Sequence, residues 1–189
     1  MEVKFEDIQK ANETIKTTDI KGKEYAEVNQ RIKAFRMLYP QGSIETEMLS
    51  NENGTCIFKA TICGNNEIGK YILGTGTAYE KENSSFINKT SYIENCETSA
   101  VGRALGMAGF GIDTSIASAE EVANAIEQQN QNLGEEKIGE KEVQILEATA
   151  KKYNKNETEV KEVLAKYKYR NLTEIKKKDY AKIGNELSK

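Results

Sequence analysis

Residues 43–80 read SIETEMLSNENGTCIFKATICGNNEIGKYILGTGTAYE, and this stretch decides the fold. Within SIETEMLS (43–50) the pattern alternates through Ile44, Thr46 and Met48. TCIFKATIC (55–63) alternates through Cys56, Phe58, Ala60 and Ile62, and KYILGTGTAYE (70–80) is rich in β-branched and aromatic residues. Alternation with period two puts one set of side chains on one face of a strand. The breaks NENG and GNNEIG carry turn residues. The stretch therefore predicts a three-stranded antiparallel meander.

Helical patterns flank it. Residues 4–17 suit a short helix, and KGKEYAEVNQRIKAFRMLY (21–39) predicts a stronger one ended by Pro40 and Gly42. At helical spacing Tyr25, Val28, Ile32, Phe35 and Tyr39 share a face; Arg31 and Arg36 flank it and Lys33 points outward. After a polar loop, Ser91 and Glu94 stand in capping-box spacing ahead of a helix running to about Gly109. Ser118 and Glu121 repeat that spacing ahead of another helix. QQNQNLGEEKIGE (128–140) then looks like a linker. The last fifty residues predict two or three short helices, with apolar positions at Val143, Leu146, Val160, Val163, Leu164, Leu172, Ile175, Tyr180, Ile183 and Leu187. The expected class is α+β: a helix, the meander and a long helix over residues 1–126, a linker over 127–139, and a small basic helical module over 140–189.

Composition limits the function. The chain has 189 residues, 38% hydrophobic and 30% charged, with one proline, as expected of a globular protein. No apolar run approaches the roughly 20 residues needed to cross a bilayer, and the acidic start is unlike a signal peptide, so a cytoplasmic protein with no membrane partner is expected. Histidine is absent, which removes the commonest general base and metal ligand. Cys56, Cys63 and Cys96 have no metal-ligand spacing; Cys56 and Cys63 differ by an odd step on a strand and point to opposite faces, so buried thiols are expected. Residues 1–134 carry 13 Lys and Arg against 19 Asp and Glu, and the remainder 14 against 11. Any polyanion must be met by local basic patches.

Some motifs are deceptive. Gly64 to Lys70 fits the first seven positions of a phosphate-binding loop, but Tyr71 stands where Ser or Thr is needed and a strand follows where a helix is needed. A hairpin turn is the better reading, and no cofactor is expected. Glu174-Ile175-Lys176 has the acidic-x-lysine form of a nuclease fragment without further carboxylates, so helix surface is expected. No metal site and no catalytic residue can be assembled.

The glycines say more. Gly74 and Gly76 share a strand face and suit a closely packed helix or backbone. On the helix from Ser91, Ile93, Ala100, Ala104, Met107 and Ala108 make an apolar face, whereas Asn95, Ser99, Gly102 and Gly106 leave the opposite face nearly bare. Mid-helix glycine costs about 1 kcal/mol relative to alanine, so something must approach closely: a second subunit, a loop, a DNA backbone, or packing within the chain. Arg103 borders the two faces and reads either as a salt bridge to a local acid or as a phosphate contact. Glu97 lies in the apolar face, where pairing with a lysine or arginine of the sheet is expected.

Lys21, Lys23, Arg31, Lys33 and Arg36 form a basic cluster against Glu24 and Glu27. Lys59 leaves the middle strand on the face opposite Phe58, and Lys89 precedes the glycine-rich helix. With Tyr25, Tyr71, Tyr79, Phe86 and Tyr92 nearby in sequence, such residues suit phosphate contacts and base stacking.

The segments RIKAFRMLYPQGSIETEML (31–49), LGTGTAYE (73–80), INKTSYIENCETSAVGRALGMAGFGI (87–112) and IASAEEVANA (116–125) resemble phage single-strand annealing proteins of the Erf and Sak type. Their superfamily includes the eukaryotic Rad-fifty-two annealing protein. The most specific segment is ETSAVGRALG (97–106), and the resemblance covers about residues 25–125. It implies the same order of helix, three-stranded sheet and long helix. It also implies a homo-oligomeric ring or filament that holds single-stranded DNA in a basic groove, bases exposed for pairing, without ATP. Carried onto this chain, groove candidates are Arg31, Lys33, Arg36, Lys59 and Lys89, with Arg103 in the helix that builds core and interface.

The leading expectation is thus ATP-independent binding and annealing of single-stranded DNA. Alternatives are a passive single-strand binding or recombination-accessory protein, and a protein-interaction module acting on host machinery. The C-terminal basic residues, Lys151, Lys152, Lys166, Lys168, Arg170, Lys176, Lys177 and Lys178, fit either contacts to DNA, a single-strand binding protein or a host recombination factor, or a solvated face.

Overall fold

The computed structural model describes residues 3–189. Its class is α+β, and the chain divides into two compact units, one ending at Gln128 and one running from Gln129 to Lys189.

In the first unit α1 (Phe5–Asn12) is followed by a two-stranded hairpin, β1 (Thr17–Ile20) and β2 (Lys23–Ala26), and then by α2 (Val28–Leu38). The second helix thus begins seven residues later than its composition suggests. Lys21 and Gly22 both have positive φ, 55° and 81°, the geometry of the tight hairpin turn that matches strand twist. Thr17, Thr18 and Ile20 favour the extended chain on one side of it. Tyr25 consequently lies on β2, while Val28, Ile32, Phe35 and Tyr39 keep their common face.

The meander is present as β3 (Ser43–Glu52), β4 (Thr55–Asn66) and β5 (Gly69–Lys81), antiparallel in the order β3-β4-β5. Cross-strand rows Ile44–Ile62–Gly74, Thr46–Ala60–Gly76 and Met48–Phe58–Ala78 form the inner face. Against it lies α3 (Tyr92–Met107). The absence of side chains at Gly74 and Gly76 sets how close it comes. A methyl group on Gly74 would stand 2.8 Å from the Ala104 carbonyl and the Ala108 amide; one on Gly76 would overlap the Ala104 amide and stand 2.8 Å from the Ala100 carbonyl. Phe35, Phe58, Ile62, Leu105 and Phe110 complete this core, with Phe35 and Phe110 edge to face at 5.5 Å. All three cysteines are buried: Cys56 belongs to an inner row and Cys63 to an outer one. Burial pushes the Cys96 thiol up to about 12, with Cys56 beside it adding to the effect.

Next comes α4 (Ala119–Glu135), so most of the expected linker is helical, its glutamines, glutamates and leucine outweighing the asparagines and Gly134. Its capping box closes as expected: Glu121 N–H donates to Ser118 Oγ at 3.3 Å, and Ser118 N–H to Glu121 Oε2 at 3.1 Å. The box expected ahead of α3 does not, because Ser91 leaves the extended region (φ −139°, ψ 34°) and its side chain caps nothing.

The second unit holds α5 (Glu140–Lys152), α6 (Glu157–Lys166) and α7 (Lys177–Leu187) around Ile138, Leu146, Val163, Leu164, Ile175, Ile183 and Leu187. Nearly all of its core matches the apolar positions read from periodicity. The fragment Glu174–Lys176, expected as helix surface, instead joins the 3-10 turn Leu172–Glu174 to α7, with Ile175 fully buried and Lys176 ion-paired with Glu135. No helix among the described residues is long and apolar enough to cross a membrane.

Candidate nucleic-acid interface

The basic residues separate into three kinds. Arg31 is fully buried, which removes it from any solvent-facing groove. Its Nη1 donates to the carbonyls of Gly102 and Ile116, each at 2.8 Å, and its Nη2 to those of Ser115 and Ala117 at 2.5 and 3.2 Å. Burial lowers its pKa, while Glu121 and Glu120 offset this in part. The guanidinium fork suits this clamp because its planar donors reach several carbonyls at once. The bare face of α3 is explained by the same packing: Gly102 meets Val28 and Ser118, and Gly106 meets the Arg31 guanidinium and Ile116. Of the four readings of that face, the loop and packing within the chain are the ones found, since Ile116 and Ser118 belong to the segment between α3 and α4.

Arg103 is of the second kind, tied to Glu121 at 3.3 Å. In the second unit Lys166, Lys176, Lys177 and Lys178 are likewise paired with Glu186, Glu135, Glu136 and Glu135 respectively. Lys176 and Lys178 together hold the Glu135 carboxyl down to about 2. Glu97, expected opposite a cation, instead accepts from Thr46 Oγ1 on β3 at 2.6 Å; a hydroxyl at the strand edge satisfies it.

Lys33, Arg36, Lys59 and Lys89 are exposed. The Arg36 guanidinium lies 5.2 Å from the Phe35 ring centre and donates to the Gly42 carbonyl. Lys89 stands 5.9 Å from the ring centre of Phe86, itself 76% exposed. Lys33 and Arg36 belong to α2, whose Phe35 and Ile32 pack into the inner-face core, whereas Lys59 leaves β4 on the other side of the sheet. A single chain therefore does not gather all four into one groove.

The outer sheet face consists of the rows Glu52–Thr55–Lys81, Ser50–Ile57–Tyr79, Glu47–Lys59–Thr77 and Glu45–Thr61–Thr75. Its carboxylates stand on β3 and its cations on β4 and β5. Lys70 reaches across to Glu45 at 2.6 Å, which lowers the Glu45 pKa and raises its own. The phosphate-loop-like segment 64–70 is the hairpin between β4 and β5.

Sequence reasoning missed a buried polar ladder. Glu80 Oε2 accepts from Asn88 Nδ2 at 2.5 Å, Asn88 Oδ1 from Asn95 Nδ2 at 2.8 Å, and Asn95 Oδ1 from Asn124 Nδ2 at 3.1 Å. Burial pushes the Glu80 carboxyl up; the Asn88 hydrogen bond opposes this and Glu121 adds to it. The available signal was parity, since Glu80 shares the inward period of Gly74, Gly76 and Ala78. A cleft of about 150 Å³ beside the ladder is lined by Tyr79, Glu80, Lys81, Ser84, Glu121, Asn124, Ala125 and Gln128. Among the described residues no group of three or more cysteine, aspartate and glutamate side chains is placed to hold a metal.

No curated protein and no solved structure matches this chain. A family model described as Slr1353 N-terminal dsRNA-binding domain-like matches residues 32–108, from within α2 to just past the end of α3.

Proposed function

We propose that this chain binds polynucleotides and, assembled with further copies of itself, holds single-stranded DNA so that complementary strands pair without ATP and without a catalytic step. The observation that carries the first part is the match of residues 32–108, the helix–meander–helix core, to a dsRNA-binding domain-like family. Annealing and self-assembly are supported by the resemblance of residues 97–106 to the Erf and Sak annealing proteins. Lys33, Arg36, Lys59 and Lys89 are the exposed cations available to phosphates. Self-association is the physical means by which dispersed cations on an acidic subunit line up along a polyanion.

Duplex RNA is the second reading, favoured by the wording of that family's description. Gel shifts with single-stranded DNA, duplex DNA and duplex RNA at about 50 and 200 mM salt separate the two. Mixing labelled complementary strands then separates annealing from passive coating. Tight, salt-sensitive binding of single strands with faster pairing is expected. Failure to shift any of the three polynucleotides at low salt would overturn the proposal and favour a protein-interaction module.

A further inference from the structure

We infer that the open outer face of the sheet is a stacking platform for single-stranded nucleic acid, with Tyr79 taking a base and Lys59 and Lys81 the flanking phosphates. The inference rests on the polynucleotide reading above and specifies the surface used.

Tyr79 is 72% exposed on β5, level with Ile57 on β4. A tyrosine ring held upright from a rigid strand offers its faces to a base with little entropy to lose. Lys81 follows two residues along the same strand, on the same face. Lys59 is diagonal to Tyr79, because its direct partner on β5 is Thr77. Same-face neighbours along a strand stand about 6.6–6.8 Å apart, and diagonal cross-strand neighbours about 7–8 Å. Both ammonium groups are therefore within reach of the phosphates on either side of a base stacked on Tyr79.

Charge separation supports this occupant. Lys70 is bound to Glu45, whereas Lys59 and Lys81 have no ion-pair partner among the described residues. Glu45, Glu47 and Glu52 all stand on β3, so a polyanion is repelled from that edge and drawn to the β4–β5 side. Glu80, between Tyr79 and Lys81 in sequence, turns inward to Asn88 and leaves the track free of its charge. Thr75 and Thr77, both exposed, extend the same side with hydroxyl donors.

The chain contains no tryptophan, so Tyr79→Trp in the full-length protein gives one emission signal at this position. Titration with a deoxythymidine oligomer should quench that emission over the same concentration range as the gel shift. Tyr79→Ala should weaken binding on the order of 5- to 150-fold, the range for loss of one stacked base, and Tyr79→Phe should retain affinity. Lys59→Ala and Lys81→Ala should each reduce the salt slope by about 0.7. Unchanged emission from the Tyr79→Trp variant while its gel shift shows binding, or parental affinity in Tyr79→Ala, would overturn the platform and leave the polynucleotide reading standing. Quenching that follows protein concentration without oligomer would assign the face to self-association and overturn it too. No oligomer binding by the parent would remove both.

Discussion

Arg31 Nη1 donates to the Gly102 carbonyl across 2.8 Å, joining α2 to the middle of α3 inside a region closed to water. Gly106, one turn further on, leaves room for the same guanidinium. A cation that would serve a polyanion at the surface here organises the backbone of the 115–117 segment.

Replacing it should therefore damage folding rather than recognition. Arg31→Lys keeps the charge but cannot reach four carbonyls with one ammonium group. Its stability should fall by about 3 kcal/mol or more, as for a buried polar network left partly unpaired. Urea unfolding checks the loss, and the salt slope of oligonucleotide binding by the folded fraction should stay at the parental value.

The seam between α3 and β5 makes a steric prediction. Gly76→Ala places a methyl group against the Ala104 amide and the Ala100 carbonyl, neither of which can swing aside. A loss of about 1–3 kcal/mol is expected from such overpacking. Gly134→Ala is the control. There the added methyl meets only Lys178 Cβ at 3.4 Å, so an increase of about 0.5–1 kcal/mol is expected from the helix preference for alanine. Thermal melts of the two variants should move in opposite directions.

Glu80 makes stability depend on pH with a definite sign. Its folded pKa lies above its unfolded value because burial disfavours the charged form. Its stabilising contribution is complete below the ordinary carboxylate range and is lost as pH rises through the elevated folded value. Glu80→Gln, which keeps an oxygen to accept from Asn88, should match the parent at about pH 4 and be the more stable protein at about pH 7. Urea unfolding at the two pH values measures this; a parent that gains on the variant as pH rises would contradict it.

For binding, the exposed cations should act separately from the buried and paired ones. Alanine at Lys33, Arg36, Lys59 or Lys89 should each take about 0.7 from the salt slope for single strands wherever a phosphate contact is lost. Arg103→Ala, which breaks the partly exposed pair with Glu121, should leave that slope alone and cost about 0–1 kcal/mol of stability. Filter binding across a salt series, alongside urea melts, distinguishes the two groups.

What the sequence makes legible follows from periodicity. The meander is readable because Cys56, Phe58, Ala60 and Ile62 keep period two, with Thr55, Lys59 and Thr61 among their neighbours, and the C-terminal core because Val160 with Val163 and Leu164, and Ile183 with Leu187, recur at helical spacing. The β1–β2 hairpin is not, because KGKEYAEV has a helical composition and only the positive φ values at Lys21 and Gly22 betray the turn. The fate of Arg31 is hidden for another reason: its partners are main-chain carbonyls, which every residue possesses. The Glu80, Asn88, Asn95 and Asn124 ladder draws on β5, a short 3-10 turn, α3 and α4, so no local window contains it.

One leucine determines which hairpin side chains reach the outside. Ile62 pairs with Gly74 but Cys63 with Ile72, so Leu73 has no counterpart on β4 and the order of inward and outward residues reverses beyond it. That reversal sends Tyr71 in toward Gly64 and Tyr39 and lets Lys70 extend across the outer side to Glu45. Were Leu73 itself to stand opposite Cys63, with no bulge, the two would exchange: an aromatic ring would emerge where an ammonium group now stands, and the far half of the hairpin would present itself inside out.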